Sequence, residues 1–526
     1  MNVPTLGDRA CGVLVHLTSL AGPHGCGDLG DSARAMIEFL ASSDQRWWQM
    51  LPVGPLGYGN SPYSAQSAFA GSDLLIALAP LVSAGWLDAR ALDAAETLPR
   101  GRIDYQATAR FRETCLRAAF ATFYARNHRD PQWEACVAFA GDARAWLDGF
   151  ALFRALKRVH GGVAWTDWPA PLRDRDRAAL GAAVRDLRDE IAFEKFVQWV
   201  FHEQWRSFRA ACASRGLGLI GDVPIFVAHD SADVWANREL FHLADDGRPT
   251  LVAGVPPDYF SRTGQRWGNP LYRWTHAKKT GFRWWIDRLK TTLDRFDAVR
   301  LDHFIGFQRY WEIPASEPTA VKGRWMKGPG APFFEAVREA VGALPLIAED
   351  LGAVTPRVLA LRDRFHLPGI KVLQFAFGTD ASAPSFLPHN YTRRAVVYTG
   401  THDNDTTRGW FEDPGGASGT RSPEQTEKER RTAMHYLGVE NGREIHWSMI
   451  RAAYASVATT AIVPLQDVLG LGTEARMNHP GTASGNWEWR VAEGALTRDV
   501  GARLADLART YDRGRALASG DREANR

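Results

Sequence analysis

The sequence predicts an α/β fold, a (β/α)8 TIM barrel, on three observations. Eight short apolar runs of strand length recur along the 526 residues. Helical stretches or long inserts separate them, and four of the runs end in an acid: Asp222, Asp302, Glu349 and Asp403. A parallel barrel keeps its chemistry at the C-terminal ends of its strands, so acids in those places converge on one mouth. A doubly wound sheet fits less well, because no glycine-rich phosphate fingerprint follows the first run.

Residues 12–16, Gly-Val-Leu-Val-His, read as the first strand. A Gly- and Pro-containing loop leads to a helix from about 31 to 40 with Asp31 as its N-cap. Residues 48–53 form the second strand, and the turn residues of 57–63 frame Tyr58 and Tyr63 in a substrate-facing loop. From about 80 to 190 the chain is rich in Ala, Arg, Asp and Leu at helical spacing, as in 109–124 and 146–159. It reads as a helical insertion whose charges form a solvated face of i to i+4 pairs. A helix over 191–215 turns Phe193, Phe196, Val197, Val200, Phe201 and Trp205 inward, and Gly216 ends it. The third strand is 217–222.

A second insertion, 228–280, contains a long aromatic loop, 254–274, in which Pro and Gly exclude regular structure and a binding role is expected. A helix over 282–293 leads to the fourth strand, 296–304. There Val299 and Leu301 alternate with Arg300 and Asp302, which puts a cation and a carboxylate on one face. The remaining strands are 344–349, 369–375, 395–401 and 461–465. Thr355 caps the helix after the fifth, with Pro356 at its first position; helices over 444–455 and 495–510 flank the eighth. Too little chain remains for a separate C-terminal β-sandwich, so 1–526 reads as a single catalytic barrel domain.

Composition narrows the partners. Sixty-three Lys and Arg against sixty Asp and Glu leave a net charge of +3, a balance that argues against nucleic acid and anionic membrane. No basic segment followed by an apolar core opens the chain, and no run reaches about eighteen apolar residues, which predicts a cytoplasmic protein. Cys11, Cys26, Cys115, Cys136 and Cys212 are odd in number and lack paired spacing. They read as buried free thiols in a reducing compartment. Most of the twenty tryptophans fill the core, and others offer flat faces to a neutral ligand such as a sugar ring.

Taken singly, each acid has a structural explanation. Asp222 and Asp403 can cap loops, Asp302 can pair with Arg300, and Glu349 can pair with a neighbouring arginine. Four at one rim are different, because gathering carboxylates raises electrostatic energy and calls for a metal or a proton to handle. His303 and His402 adjoin acids and would suit a metal, yet no His-x-His, His-x-x-x-His or cysteine cluster supports one. Retaining glycoside chemistry needs one ionised carboxylate and one protonated acid about 5–5.5 Å apart. Arg300 would keep Asp302 ionised, and Glu349, following the apolar Leu346, Ile347 and Ala348, is placed to hold its proton.

At these residues the chain resembles the 4-α-glucanotransferases (amylomaltases or disproportionating enzymes) of glycoside hydrolase family 77 in the α-amylase clan. The resemblance rests on His16-Leu-Thr-Ser-Leu, Ser61-Pro-Tyr63, Gly221-Asp-Val-Pro-Ile, Gly254-Val-Pro-Pro-Asp-Tyr-Phe-Ser and Trp267-Gly-Asn-Pro-Leu-Tyr. Arg300-Leu-Asp-His-Phe, Ala348-Glu-Asp-Leu-Gly, Thr401-His-Asp-Asn-Asp-Thr and Arg476-Met-Asn complete it. It implies a glycosyltransferase acting on maltooligosaccharides, glucose and other α-1,4-glucans, with no required metal or organic cofactor. It implies Asp302 as nucleophile, Glu349 as general acid and base, and Asp403 as the carboxylate that holds the sugar 2- and 3-hydroxyls. Tyr63, Asp222, Arg300, His303 and His402 would line the donor subsite. Tyr259, Phe260, Gln265 and Trp267 would cover the groove and hold the acceptor, with Ser61, Asp380 and Asn478 as lesser contacts and Tyr58 and Tyr105 at a remote glucan site. Ile305, Phe226 and Ser72-Asp73 depart from the family pattern, none at a catalytic position.

Transfer must outcompete water, and a covering loop such as 254–274 would do so by excluding it and orienting the incoming glucan. An α-glucan hydrolase of the same clan is the nearest alternative. A catalytically silent glucan-binding protein is the other, expected to have lost one of Asp302, Glu349 and Asp403. The oligomeric state stays open.

Overall fold

The computed structural model describes residues 2–257, 261–415, 421–482 and 484–515. Its strands are β1 (Ala10–Leu14), β2 (Trp47–Gln49), β3 (Gly218–Pro224), β4 (Leu251–Val255), β5 (Gln265–Pro270), β6 (Ala298–Asp302), β7 (Arg309–Pro314), β8 (Arg324–Lys327), β9 (Leu346–Ala348), β10 (Gly369–Val372), β11 (Ala395–Tyr398) and β12 (Thr460–Pro464). Eight of them close a barrel in the order β1-β12-β11-β10-β9-β6-β3-β2, every neighbouring pair parallel. These are the eight expected runs. Strands covered on both faces need apolar residues throughout, which is why they read as unbroken apolar stretches.

The second, sixth and seventh strands stop earlier than expected, at Gln49, Val372 and Tyr398, because the chain leaves the ladder there to build the mouth. Gly221 in β3 is dictated by packing: a Cβ on it would lie 2.5 Å from the Phe296 ring. At the opposite end of the barrel the fully buried Arg513 donates to the carbonyls of Ala10 (3.1 Å), Thr459 (3.1 Å), Tyr454 (2.7 Å), Ser456 (2.9 Å) and Ala458 (2.9 Å). The segment after the helix Arg498–Thr510 thereby ties β1 to β12.

Two helix-start expectations divide. Asp31 is the first residue of the helix Asp31–Ser42, not its cap; Gly30 precedes it and no side chain caps the helix, so Asp31 acts as an acid in the positive first turn. Thr355 does occupy the N-cap before Pro356, although its hydroxyl makes no capping bond. Between β2 and β3 run several helices, the longest being Tyr105–Arg126, Arg144–Val159 and Arg188–Ser214. The last buries Phe193, Phe196, Val197, Val200, Phe201 and Trp205.

The charges in this region are not simply a solvated face. Glu194 is buried and pairs with Arg154 at 3.4 Å and Arg158 at 2.8 Å, while Arg117 and Arg158 share Glu190. The sequence spacing also contains the expected i to i+4 pair, Arg117 with Glu113, but the network runs between helices.

The larger correction concerns the aromatic loop. Residues 254–274 are not free of regular structure: β4 extends into the stretch and β5 lies inside it. Both belong to an antiparallel sheet ordered β5-β4-β7-β8. Val252 faces Ile313 and Trp311 faces Trp325 across it. Pro256, Pro257 and Pro270 fall at strand ends, where a missing N–H costs nothing. Gly254 sits where a Cβ would be 2.2 Å from the Gln265 carbonyl. Proline and glycine here position strands and do not prevent them.

Candidate active site

Parallel register lines up the acids. Asp222 of β3 is paired with Arg300 of β6, and Pro224 with Asp302; Leu301 of β6 is paired with Ala348 of β9. Asp302 and Glu349, each one residue further, therefore occupy facing positions on adjacent strands roughly 5 Å apart, with side chains on the same side of the sheet. His402 and Asp403 follow β11 by a few residues. All stand at the C-terminal ends of barrel strands.

Arg300 is the buried cation at the centre, its Nη1 donating to Asp222 Oδ2 at 2.7 Å and to Asp302 Oδ1 at 2.9 Å. The Asp222 side chain is fully enclosed, whereas that of Asp302 is 28% exposed, so Asp222 lies beneath the site and Asp302 faces the cleft. Tyr63 OH donates to the same Asp222 oxygen at 2.9 Å. Its ring stacks on His402 with centroids 5.1 Å apart. Ser61 accepts from Tyr63 N at 3.2 Å and so fixes the turn that brings Tyr63 in.

Glu349 accepts from the backbone N–H of His303 at 2.7 Å. His303 has φ of 51°, a left-handed conformation that turns its N–H toward the glutamate. Burial raises the Glu349 carboxyl well above the ordinary glutamate range, and the charge of Asp302 adds to the rise against the pull of Arg300 and the His303 N–H. Burial also lifts Asp222 to about 6 despite Arg300, and lowers His303 to about 4, keeping that imidazole neutral.

Asp403 behaves oppositely. Desolvation in the cleft opposes its charge, but His402, the Asn478 amide and Arg300 outweigh it and hold the carboxyl below the usual carboxylate range. His402 Nε2 lies 3.3 Å from Asp403 Oδ2, Asn478 Nδ2 donates to Oδ1 at 2.6 Å, and Arg476 Nη2 donates to the Asp403 backbone carbonyl at 2.7 Å. Two carboxyls of the same mouth, Glu349 and Asp403, are thus pushed in opposite directions, the condition for acid and base roles to separate.

The antiparallel sheet adds the outer wall. Gln265 and Trp267 sit at i and i+2 on β5 and so share a face, with Trp267 Nε1 donating to Gln265 Oε1 at 3.0 Å. Trp267 is partly exposed and meets the His303 ring edge-on at 4.9 Å. Tyr259 and Phe260 lie outside the described residues. Asp380 follows the helical turn Leu373–Phe377 and, among the described residues, makes no hydrogen bond to the carboxylate cluster. Tyr105 is buried with its hydroxyl on the Trp487 carbonyl (2.8 Å), while Tyr58 is 86% exposed.

Of the departures from the family pattern, Ile305 and Phe226 are buried, and Asp73 pairs with Arg154. Among the described residues no group of three or more His, Cys, Asp or Glu side chains is arranged to hold a metal ion.

Sequence reasoning did not assign Trp487, whose ring lies 5.9 Å from Tyr63 and 6.0 Å from His402, nor Tyr398, which donates to Gln49 Oε1 at 2.9 Å beneath Arg300. It noted Arg476 in a motif without giving it a task. For Trp487 the sequence carried no signal, since it is one of twenty tryptophans and belongs to no strand.

Residues 15–497 match the family model described as 4-alpha-glucanotransferase. The chain is 50% identical over 508 residues to the 4-alpha-glucanotransferase of Thermus thermophilus, covering 96% of this chain and 99% of that protein. It is 46% identical over 511 residues to that of Synechocystis, covering 97% and 99%. Among solved structures it is similar to the amylomaltase from Streptococcus agalactiae in complex with acarbose, at 35% identity and a TM-score of 0.91, covering 96% of this chain and all of that one.

Proposed function

The chain belongs to the 4-alpha-glucanotransferase family, and from that membership we propose how its side chains divide the transfer of an α-1,4-glucan segment. Asp302 is the nucleophile. Its carboxylate attacks the anomeric carbon of the donor sugar while Glu349 gives its proton to the departing glycosidic oxygen, leaving a β-glucosyl-enzyme. The 4-hydroxyl of glucose or of another glucan then attacks that carbon from the opposite face, Glu349 as carboxylate takes its proton, the ester bond to Asp302 breaks to release its carboxylate, and the α configuration returns.

Asp403, held charged by its neighbours, binds the sugar 2- and 3-hydroxyls and favours the oxocarbenium-like transition state. Tyr63, Asp222, Arg300, His303 and His402 surround the donor sugar. Trp267 and Gln265, together with Tyr259 and Phe260, hold the acceptor and exclude water, and Ser61, Asp380 and Asn478 make lesser contacts. No metal or organic cofactor takes part.

Support comes above all from one observation: Asp302 and Glu349 face each other across β6 and β9, one bonded to a guanidinium and the other favoured in its protonated form. The likeness to an amylomaltase solved in complex with acarbose supports a ligand of that kind for this chain. All five cysteines are free and most are buried, and no helix among the described residues is long and apolar enough to cross a membrane. We place the enzyme in the cytoplasm, acting on maltodextrins from glycogen or starch.

The test uses pure maltotriose. Glucose and a ladder of products longer than the substrate are expected, with no turnover by Asp302→Asn although glucan binding persists. Glucose and maltose alone, or an active Asp302→Asn, contradicts the proposal.

A further inference from the structure

Asp403 and His402 lie on a loop, 400–406, between β11 and the helix Thr407–Glu412. Both ends of that loop are bonded to one carboxylate. Asp467, just after β12 and 1% exposed, accepts from Thr399 Oγ1 at 2.5 Å on the near side. On the far side it accepts from Thr407 Oγ1 at 2.7 Å and Thr407 N at 2.6 Å. Thr399 and Thr407 are themselves fully buried.

All these donors are neutral, and among the described residues no Lys or Arg pairs with Asp467. A carboxylate so enclosed is costly, since desolvation is repaid only by hydrogen bonds. Its raised pKa reflects burial working against those bonds. Apolar side chains could fill the same space, but they would not fix the distance between two points of backbone. Three directional bonds do.

Other groups of the loop are tied as well. Thr401 N and Oγ1 both donate to Asn404 Oδ1, Thr473 Oγ1 donates to Asp405 Oδ2, and Gln374 Nε2 donates to the Asp405 carbonyl. Gln374 also reaches both flanks, its backbone N–H donating to the Thr399 carbonyl at 3.3 Å, but Asp467 is the carboxylate that takes both flanking threonine hydroxyls. Catalytic side chains must be held within about 0.5 Å of their working geometry, and a loop of this length needs its span set.

We propose that Asp467 is a positioning residue of this loop, fixing its span through Thr399 and Thr407 and acting on transfer only through His402 and Asp403. The inference rests on the reading above that Asp403 holds the donor sugar.

The experiment measures maltotriose disproportionation and the affinity for acarbose by calorimetry. Asp467→Asn should lower kcat about tenfold with KM changed less than about twofold, the pattern of lost positioning. Thr407→Val removes one hydroxyl bond and keeps the backbone bond, so kcat should fall about threefold, and Thr407→Ser should restore it. If Asp467→Asn does not fold, the Thr407 pair carries the test.

Asp467→Asn should also weaken acarbose binding about tenfold in the parent and less than about twofold in Asp403→Asn, because a positioning effect vanishes with the group positioned. Equal weakening in both backgrounds overturns the inference, as does full activity of the Asp467 and Thr407→Val variants or a Thr407→Ser no better than Thr407→Val. Unchanged acarbose affinity in Asp403→Asn overturns the site reading itself and this inference with it.

Discussion

At the scale of single residues, the site works by setting like groups to unlike protonation. Arg300 is bonded to Asp222 and Asp302, while Glu349 accepts a backbone N–H in a buried setting whose effect outweighs the more distant pull of Arg300. That difference has a consequence for stability. A carboxyl whose folded pKa is raised contributes stability fully present below its unfolded value, near 4.5, and lost as pH rises toward the folded value. Glu349→Gln, always neutral, should therefore match the parent in Tm below pH 4.5 and exceed it increasingly above, measured by thermal unfolding across pH. A Tm difference that shrinks with rising pH would contradict the raised pKa. The pairing of Arg300 with Asp302 was legible in the sequence because period two leaves no choice of face. The bond from His303 N to Glu349 was not, since it depends on a positive φ at a histidine that no pattern announces.

At the scale of elements, the barrel strands could be read as apolar runs, and their ends could not. Strand ends are set where tertiary contacts of the mouth take over from the ladder, as at Gln49 and Val372. The antiparallel sheet escaped notice because the signals in 254–274 conflict locally. Pro256, Pro257 and Gly254 argue for a loop, and only pairing with β7, distant in sequence, makes the strand. That sheet presents Trp267, on β5, beside His303, and Trp267 is a side chain proposed to hold the acceptor. Trp267→Ala should lower the ratio of elongated products to newly released reducing ends about three- to tenfold, through lost acceptor orientation and admitted water. An unchanged ratio, read by product chromatography and a reducing-end assay, would remove Trp267 from the acceptor side.

At the scale of the whole molecule, stability and chemistry sit at opposite ends of the barrel. Arg513 closes β1 against β12 at the base by donating to carbonyls on both sides, several of them shared with Arg9 or with the Ala10 N–H. Arg513→Met should cost about 3–5 kcal/mol in urea unfolding, since it removes a buried guanidinium bonded to the carbonyls of Ala10, Thr459, Tyr454, Ser456 and Ala458 at once. The folded fraction should keep its KM, and a raised KM would mean that the base communicates with the mouth. In the proposed mechanism the mouth carries out a double displacement through a covalent sugar. The most direct measurement incubates Glu349→Gln with an α-maltotriosyl fluoride, whose leaving group needs no acid, and maps the trapped adduct by mass spectrometry. A glycosylated peptide modified at Asp302 is the predicted result; an adduct on any other side chain, or rapid turnover with none, would contradict it.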